Sequence, residues 1–253
     1  MKRSWIDYAI LVVATVALWQ AAWYLAGSEA IAPPFETVRR LAALMAQERF
    51  WEHARATSVA FAWACLLALA GGLALGIAIG ASRAAHDILM PILTTLYSIP
   101  KIVLYPVILL VFGLGLSAKV AFGAMHGFFP VALFAIGAIR NIPPVLLRTA
   151  RVMGLSRLDA ARRILLPAAL PEIVTGLRIG FSTTLLGTLM GELFASSEGI
   201  GFMLIRAMDI HNVADIMALT LLLFVVATAA NVFILAVEER AHSNESKSHE
   251  SKI

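Results

Sequence analysis

Six long apolar segments dominate this sequence, and each is close to the roughly 20 residues that a helix needs to cross a membrane. Only 14% of the residues are charged, against roughly 25% in an ordinary soluble domain. A transmembrane β-barrel would show short alternating strands, which these uninterrupted runs do not resemble. The sequence therefore predicts an all-α integral membrane protein with six transmembrane helices, at about residues 8–25, 56–80, 88–113, 117–139, 173–194 and 214–237.

The apolar segments divide the chain into four parts. Residues 1–31 hold the N-terminal tail and the first span, for which a cleaved signal peptide is the alternative, although the apolar run exceeds the usual length of about 7 to 15 residues. Residues 32–55 mix arginine and glutamate with apolar residues at helical spacing, which predicts a periplasmic amphipathic helix. Residues 56–237 are expected to form a five-helix core, and the polar residues 238–253 a disordered tail.

Glycine and proline mark two of the predicted spans. Glycines recur at every fourth position from Gly72 to Gly80, and such a small face favours close packing with another helix of the same chain over a dimer seam. Pro91, Pro100 and Pro106 lie in the third span, where they must break or kink it. Membrane helices tolerate this only where neighbours satisfy the freed backbone groups. We therefore expect the third span to face protein or a water-lined path.

Lysine and arginine are distributed unequally between the two sides of the predicted bundle. Twelve of them belong to the N-terminus, the second and fourth connections and the C-terminal tail, whereas six lie on the opposite side. Because positive residues favour the cytoplasm, both termini and the long fourth connection, residues 140–171, are predicted to be cytoplasmic.

The fourth connection contains the stretch "ARVMGLSRLDAARRILLPAALP", in which apolar residues fall at helical spacing among arginines. Gly154 followed by Ser156 predicts a break between two short helices, with Ser156 as an N-cap. Pro167 and Pro171 are expected to stop the second helix and start the fifth span. Three interpretations of this stretch remain open. Its apolar helix face is covered either by lipid headgroups or by a soluble protein that docks on it, or the arginines serve only to set the topology of the chain.

The same stretch resembles the cytoplasmic loop of importer permeases of the ATP-binding cassette (ABC) class. Their pattern is E-A-A, three residues, Gly, nine residues, Ile, one residue, Leu-Pro. Every spacing is kept here, but Arg148 and Thr149 stand where the pattern has Glu and the first Ala. The stretches "LYSIPKIVLYPVILLVFGLG", "GFFPVALFAIGAIRNIPP" and "GELFASSEGIGFMLIRA" are similar to the branch that imports nitrate, sulfonates, taurine and thiamine precursors. The matching loop residues are Ala150, Gly154, Ile164, Leu166 and Pro167.

The resemblance implies a type I ABC importer permease in the bacterial inner membrane. It implies a homodimer whose cytoplasmic loops couple to two copies of an ATPase subunit through the five matching loop residues. A periplasmic or lipid-anchored binding protein would deliver the solute. None of the five lysines follows a glycine, so the phosphate loop G-x-x-x-x-G-K-[ST] is absent and ATP and Mg are expected on the partner. We therefore predict a transport subunit rather than an enzyme.

Polar side chains within the spans are candidates for the solute path, because an ionisable group at a helix centre costs about 2.5–3.5 kcal/mol on insertion scales. Lys101, in the proline-broken span, is expected to meet an anion or to pair with Glu192. Ser98, Thr183 and Thr184 are candidate pore-lining hydroxyls, with hydrogen bonds back to their own helix as the alternative. The resemblance implies a small anionic or zwitterionic organic solute.

Other function classes find less support in the sequence. The six histidines show no metal-ligand spacing, so no metal is predicted, and the basic residues lie beside membrane spans rather than in a nucleic-acid-binding pattern. An ATPase-independent channel or secondary transporter is the main alternative, although the halves show no similarity. A membrane anchor or scaffold for a cytoplasmic partner is the other.

Overall fold

A computed structural model describes residues 5–250, without the side chains of residues 5, 157, 195 and 236–250. The regular structure of these described residues is helical throughout, which confirms the all-α prediction. In chain order the elements are α1 (Trp5–Ala26), α2 (Pro34–Met45), α3 (Glu48–Ala81), α4 (Arg83–Ser98), a 3₁₀ turn (Lys101–Leu104), α5 (Tyr105–Phe112), α6 (Leu116–Arg140), α7 (Pro144–Val152), α8 (Arg157–Ala160), a π turn (Ala161–Leu165), α9 (Leu166–Ala195), α10 (Ile200–Asp209) and α11 (Val213–Glu250).

The described residues contain five or six segments that could cross a membrane, against six predicted spans. Five helical runs are long and apolar enough to cross a membrane, and α1, α3, α6, α9 and α11 carry them. At the third predicted span, α4 and the segment 101–112 meet at a bend of 88°, which makes this pair either one broken span or a re-entrant loop. The break falls at Pro100, whereas Pro91 lies inside α4 and Pro106 lies in the first turn of α5. Only one of the three prolines therefore interrupts the span.

Helices α3, α6 and α9 form the centre of the bundle, and small residues let them approach closely. A Cβ added to Gly72 would lie 2.8 Å from the backbone oxygen of Phe128, and one added to Gly76 would lie 2.7 Å from that of Ala132. The glycine face of α3 is therefore filled by the backbone of α6. This confirms packing within the chain as the role of the glycine pattern.

The amphipathic segment predicted over residues 32–55 is two elements rather than one. Helix α2 ends at Met45, Gln47 has an extended backbone, and α3 begins at Glu48. Helix α3 begins at Glu48, before the span predicted from about residue 56, and Phe50 and His53 in its first turns are buried. Their burial makes the first turns of α3 part of the packed bundle.

Helix α2 packs against α11 through an apolar cluster and one ion pair. Leu44 and Leu219 are buried in the same core cluster. Arg40 donates from Nη2 to Oδ2 of Asp215 at 3.0 Å and also bonds it through Nε. Asn212 donates to the same carboxylate at 2.8 Å. The hydrogen bond with Asp215 raises the pKa of the Arg40 guanidinium.

The first helix contributes little to the packed bundle. None of the residues in the apolar window of α1 is buried within the chain, although Trp19 donates from Nε1 to the backbone oxygen of Ala32 at 3.0 Å. The backbone of α11 is helical as far as Glu250. The disorder predicted for residues 238–253 stays a prediction, because side chains from 236 onward and residues 251–253 lie outside the described part of the chain.

Candidate coupling loop and solute path

The loop between α6 and α9 begins with α7, which ends in a glycine-dependent cap. The N–H of Gly154 donates to the oxygen of Arg151 at 3.1 Å, and the N–H of Leu155 donates to that of Ala150 at 3.1 Å. This pair of bonds is a Schellman motif, which needs a left-handed residue at its turn. Gly154 supplies it with φ +65°. The predicted break at Gly154 is confirmed.

Helix α8 begins at a capped turn directly after this break. The hydroxyl of Ser156 accepts the backbone N–H of Asp159 at 3.1 Å and donates to its carboxylate at 2.6 Å. Ser156 is therefore the predicted N-cap, and it satisfies one of the donors that the first turn of a helix leaves free.

Apolar side chains project from the tip of this helix pair. Val152, Met153 and Leu158 are 88%, 63% and 59% exposed. Of the five matching loop residues, Gly154 is exposed at the tip, but Ala150 is buried at 3% and faces its own chain. We call the three exposed residues the apolar tip.

The second helix of the loop does not stop at proline, contrary to the prediction. The π turn ends at Leu165, α9 starts at Leu166, and Pro171 lies inside it. At the end of the π turn, the backbone N–H of Leu166 donates to the backbone oxygen of Ala161, five residues earlier. This wider spacing accommodates a proline that cannot donate to the preceding turn. Ile164 and Pro167 therefore lie within one helical run from α8 to α9.

Lys101 lies at the break of the bent span, next to two aromatic rings. Its Nζ donates to the backbone oxygen of Tyr97 at 3.3 Å. It also lies 4.3 Å from the centroid of the Tyr97 ring and 5.7 Å from that of Phe129, within the range of cation–π attraction. The ammonium is thus held at the surface of the bend and remains partly exposed.

The three candidate hydroxyls all bond to their own helices, as the alternative interpretation expected. The side-chain hydroxyls donate to backbone oxygens one turn earlier: Ser98 to Thr95 at 2.7 Å, Thr183 to Ile179 at 2.9 Å and Thr184 to Gly180 at 2.7 Å. Ser98 and Thr183 keep some exposure, whereas Thr184 is fully buried. Of these three hydroxyl-bearing residues, Ser98 and Thr183 are therefore the ones that are not buried within the chain.

Glu192 does not pair with Lys101, and that expectation is wrong. Its nearest cation is Lys119 of α6, whose Nζ lies 3.9 Å from Oε1, and both side chains are fully buried. Oε2 of Glu192 accepts from the Thr57 hydroxyl and from the N–H of Gly201, each at 2.9 Å. The carboxylate therefore links α3, α6 and α10 from its place on α9.

These contacts anchor the turn that precedes α10. Besides Gly201, the N–H of Gly199 donates to Nδ1 of His53 at 3.0 Å, and the N–H of Ile200 donates to Oγ1 of Thr57 at 2.8 Å. Lys119 completes the set by donating to the backbone oxygen of Glu198 at 3.2 Å. Three successive backbone donors and one carbonyl are thus satisfied by side chains from α3, α6 and α9. We call this arrangement the buried polar latch.

Sequence reasoning counted Lys119, at the start of the fourth predicted span, among the six positive residues on the non-cytoplasmic side, and it did not single out Thr57 or His53. A signal for Lys119 was present, since Lys119, Gly123 and Gly127 follow each other at intervals of four residues on one helix face. Both glycines are buried, so a lysine in line with them points into the bundle. His53 and Thr57 are likewise four residues apart, but nothing in their neighbourhood distinguishes them from surface residues.

Within the described residues, no three His, Cys, Asp or Glu side chains lie close enough together to hold a metal ion.

Comparison with known proteins places the chain in a defined group. A family model described as the binding-protein-dependent transport system inner membrane component matches residues 72–242, more than half of the chain. The taurine transport system permease protein TauC of Escherichia coli is 29% identical over 213 residues, which cover 82% of this chain and 78% of that protein. The putative aliphatic sulfonates transport permease protein SsuC of Bacillus subtilis is 27% identical, and the match covers 94% of this chain and 87% of that protein.

The fold is also shared with a solved structure. An inward facing structure of the MetNI methionine ABC transporter superposes with a TM-score of 0.64 at 22% identity. The match covers 75% of this chain and 96% of that one. The type I importer permease fold expected from the sequence is confirmed.

Proposed function

The chain belongs to the family of inner membrane components of binding-protein-dependent transport systems, and on that premise we propose that two copies of it enclose the path of an ATP-driven importer. The family is that of ABC permeases, which are multi-pass membrane subunits working with an ATPase and a solute-binding protein. The parts assigned below to the loop, the bent span and the solute are our proposal.

The loop between α6 and α9 is the element that couples the path to the ATPase. The apolar tip supports this role, because without a partner the apolar side chains of Val152, Met153 and Leu158 would remain exposed to water. The Schellman turn and the Ser156 cap give the tip a fixed shape. The unbroken helical run from α8 into α9 connects it to the centre of the bundle. A rigid body of this kind transmits a movement of the partner into a tilt of α9.

Within this loop, the five residues of the family pattern have different parts. Gly154 shapes the tip, and Ala150 packs the hairpin against its own chain. Ile164, Leu166 and Pro167 belong to the π turn and the start of α9, so they carry the movement rather than make the contact. With positive residues concentrated on this side, the loop and both termini face the cytoplasm.

Lys101 is the residue that meets an anionic solute. The support is its place at an 88° break, its partial exposure and the two aromatic rings beside it. The relatives named for taurine and for aliphatic sulfonates carry compounds with a sulfonate group, and an ammonium is a natural partner of that anion. Ser98 and Thr183 line the same path. Glu192 and Thr184, buried inside the protomer, maintain the helix arrangement around it.

The ATP site is on the partner, since the phosphate-loop motif is absent from this sequence. Two ATPase subunits, one on each loop, and one delivering solute-binding protein complete the proposed assembly. This chain then has no catalytic residue and carries no cofactor of its own.

The observation that carries the proposal is the apolar tip, and co-purification with the ATPase tests it. Val152→Asp places a charge on the tip, whereas Val145→Asp makes the same change at the other end of α7, seven residues and about 10 Å away. Both side chains are exposed, at 88% and 61%, so neither change should affect folding. We expect the wild type and Val145→Asp to retain the ATPase and Val152→Asp to lose it. Full retention by Val152→Asp would refute the coupling role, and no association even of the wild type would favour a channel.

The role of Lys101 is tested by ATP-dependent uptake into vesicles with taurine, an alkanesulfonate and nitrate as solutes. Loss of a charged partner is expected to raise the KM of the transported anion about tenfold in Lys101→Met. Lys101→Arg should restore most of the affinity because it keeps the charge. An unchanged KM in Lys101→Met would remove Lys101 from the path.

A further inference from the structure

A cavity lies at the base of the loop, where the end of α3, the start of α4, the end of α6 and α7 meet. Its volume is about 660 Å³, and it is separate from the apolar tip, whose three residues do not line it. The lining contains Arg83 of α4, Arg140 of α6, and Arg148 and Arg151 of α7, together with apolar residues that include Ile139, Ile142, Leu147 and Leu165.

No acidic residue balances the four arginines of this cavity. None of the lining residues is aspartate or glutamate, and within the described side chains none of the four guanidinium groups has a carboxylate within 4 Å. Among these four residues, Arg151 donates a hydrogen bond from Nε to the backbone oxygen of Leu147 at 3.4 Å. Glu172 is engaged with Asn141 instead, at 3.4 Å. Four arginines that line one cavity without a counter-charge indicate an anionic ligand.

The residues of α7 that line the cavity are different from those of the apolar tip. Pro144, Leu147, Arg148 and Arg151 line the cavity, and their spacing of three, four and seven residues defines one helix face. Val152 of the apolar tip does not line the cavity, although it lies four residues after Arg148. Helix α7 thus contributes arginines to the cavity, while the apolar tip begins at its C-terminal end.

The lining also has the two-part character of an interfacial lipid site. The cavity is lined by arginines and also by the apolar residues Ile139, Ile142 and Leu165. Ile139 lies at the end of α6, Ile142 follows that helix directly, and Leu165 lies in the π turn just before α9. Both α6 and α9 belong to runs that could cross a membrane. Basic pockets between membrane helices at the level of the headgroups bind anionic phospholipids. A small soluble anion would make no use of the apolar half of this surface.

We propose that this cavity binds the phosphate headgroup of an anionic phospholipid, with Arg148 as a principal contact. Arg148 stands where the permease pattern has a glutamate, so this chain carries a cation in place of an anion at the centre of the basic face. The bound headgroup screens the four guanidinium groups from each other. It also links α7 to α4 and α6, so that the position of the loop depends on the lipid composition of the membrane.

The purified chain in mild detergent, without any ATPase, is titrated with dioleoylphosphatidylglycerol, and bound lipid is counted by native mass spectrometry. Dioleoylphosphatidylcholine has the same acyl chains without net charge and gives the reference. We expect Arg148→Gln to weaken binding of the anionic lipid about fivefold, since each basic residue near a lipid surface contributes about that factor. Arg140→Gln with Arg148→Gln should weaken it further, while binding of phosphatidylcholine stays unchanged.

Arg162→Gln is the matched control, because Arg162 is exposed in the π turn of the same loop and does not line the cavity. If Arg162→Gln weakened binding of the anionic lipid as much as Arg148→Gln does, general surface charge would explain the binding. That result would refute the proposed lipid site. Wild-type affinity in the double variant would also overturn it. Displacement of the lipid by glycerol phosphate at equal concentration would assign the cavity to a soluble anion instead. Since no ATPase is present, these outcomes do not depend on the coupling role of the apolar tip.

Discussion

Replacement of Lys119 by methionine tests whether the buried polar latch depends on charge balance. Lys119 and Glu192 are both fully buried, with 3.9 Å between Nζ and Oε1. Methionine has a similar volume but leaves Glu192 without its cation. Removing one partner of a buried ion pair costs about 3–5 kcal/mol, which is a large part of a typical folding free energy of about 5–15 kcal/mol. We expect Lys119→Met to destabilise the protein by that amount.

Replacement of Glu192 by glutamine should destabilise the protein less than Lys119→Met does. This difference between the two variants makes the test specific. In Glu192→Gln the amide oxygen still accepts from Thr57 and Gly201, and Lys119 keeps the backbone oxygen of Glu198 at 3.2 Å and its carboxylate at 3.8 Å. The double variant, with neither charge, is expected to be more stable than Lys119→Met alone.

Equilibrium unfolding by SDS in mixed micelles, followed by tryptophan fluorescence, gives the three free energies. The five tryptophans of the chain provide the signal. Lys119→Met within about 1 kcal/mol of wild type, or a double variant less stable than that single one, would refute the reasoning, because the charges would then not be coupled.

Three further predictions use the same unfolding experiment. Gly76→Ala should destabilise by about 1–3 kcal/mol, because its Cβ would lie 2.7 Å from a backbone oxygen of α6, whereas Gly71→Ala, 3.4 Å from an aromatic ring, should stay within about 0.5 kcal/mol of wild type. Gly154→Ala should cost about 1–2 kcal/mol because φ is +65°. It should keep the ATPase, since apart from Gly154 and its two chain neighbours no atom of the described chain lies within 4 Å of the new Cβ. Loss of the ATPase would show a tighter contact there. Asp215→Asn should cost at most about 1 kcal/mol because Arg40 is 38% exposed, and about 0.5 M salt should reduce the difference.

The sequence predicted what depends on local patterns. The apolar runs indicated the membrane helices, and the glycines from Gly72 to Gly80 indicated a close helix contact. Gly154 and Ser156 indicated the turn of the loop, because a Schellman turn and an N-cap each require only a few neighbouring residues. The continuation of α9 through Pro171 was not predicted, since whether a proline ends a membrane helix depends on how the adjacent turns and neighbours compensate for the missing donor.

The buried polar latch depends on how four helices are rotated against one another. Glu192 has both Lys101 and Lys119 within the same bundle, and periodicity alone does not decide which lysine faces it. The structure shows that Lys119 lies on the packed face with Gly123 and Gly127, while Lys101 lies at a surface break. Burial of His53 and Thr57 follows from the same arrangement, because their partners are backbone groups about 140 residues away.

Site-directed photocrosslinking in intact cells tests the central proposal most directly. A benzoylphenylalanine at position 153 replaces Met153 on the apolar tip, and one at position 114 replaces Leu114 in the connection between α5 and α6, which the predicted topology places outside. Both native side chains are exposed, at 63% and 80%, so both probes are free to react. We predict that position 153 crosslinks to the ABC ATPase and that position 114 does not. An ATPase crosslink from position 114, or none from position 153, would contradict the coupling role and the orientation together.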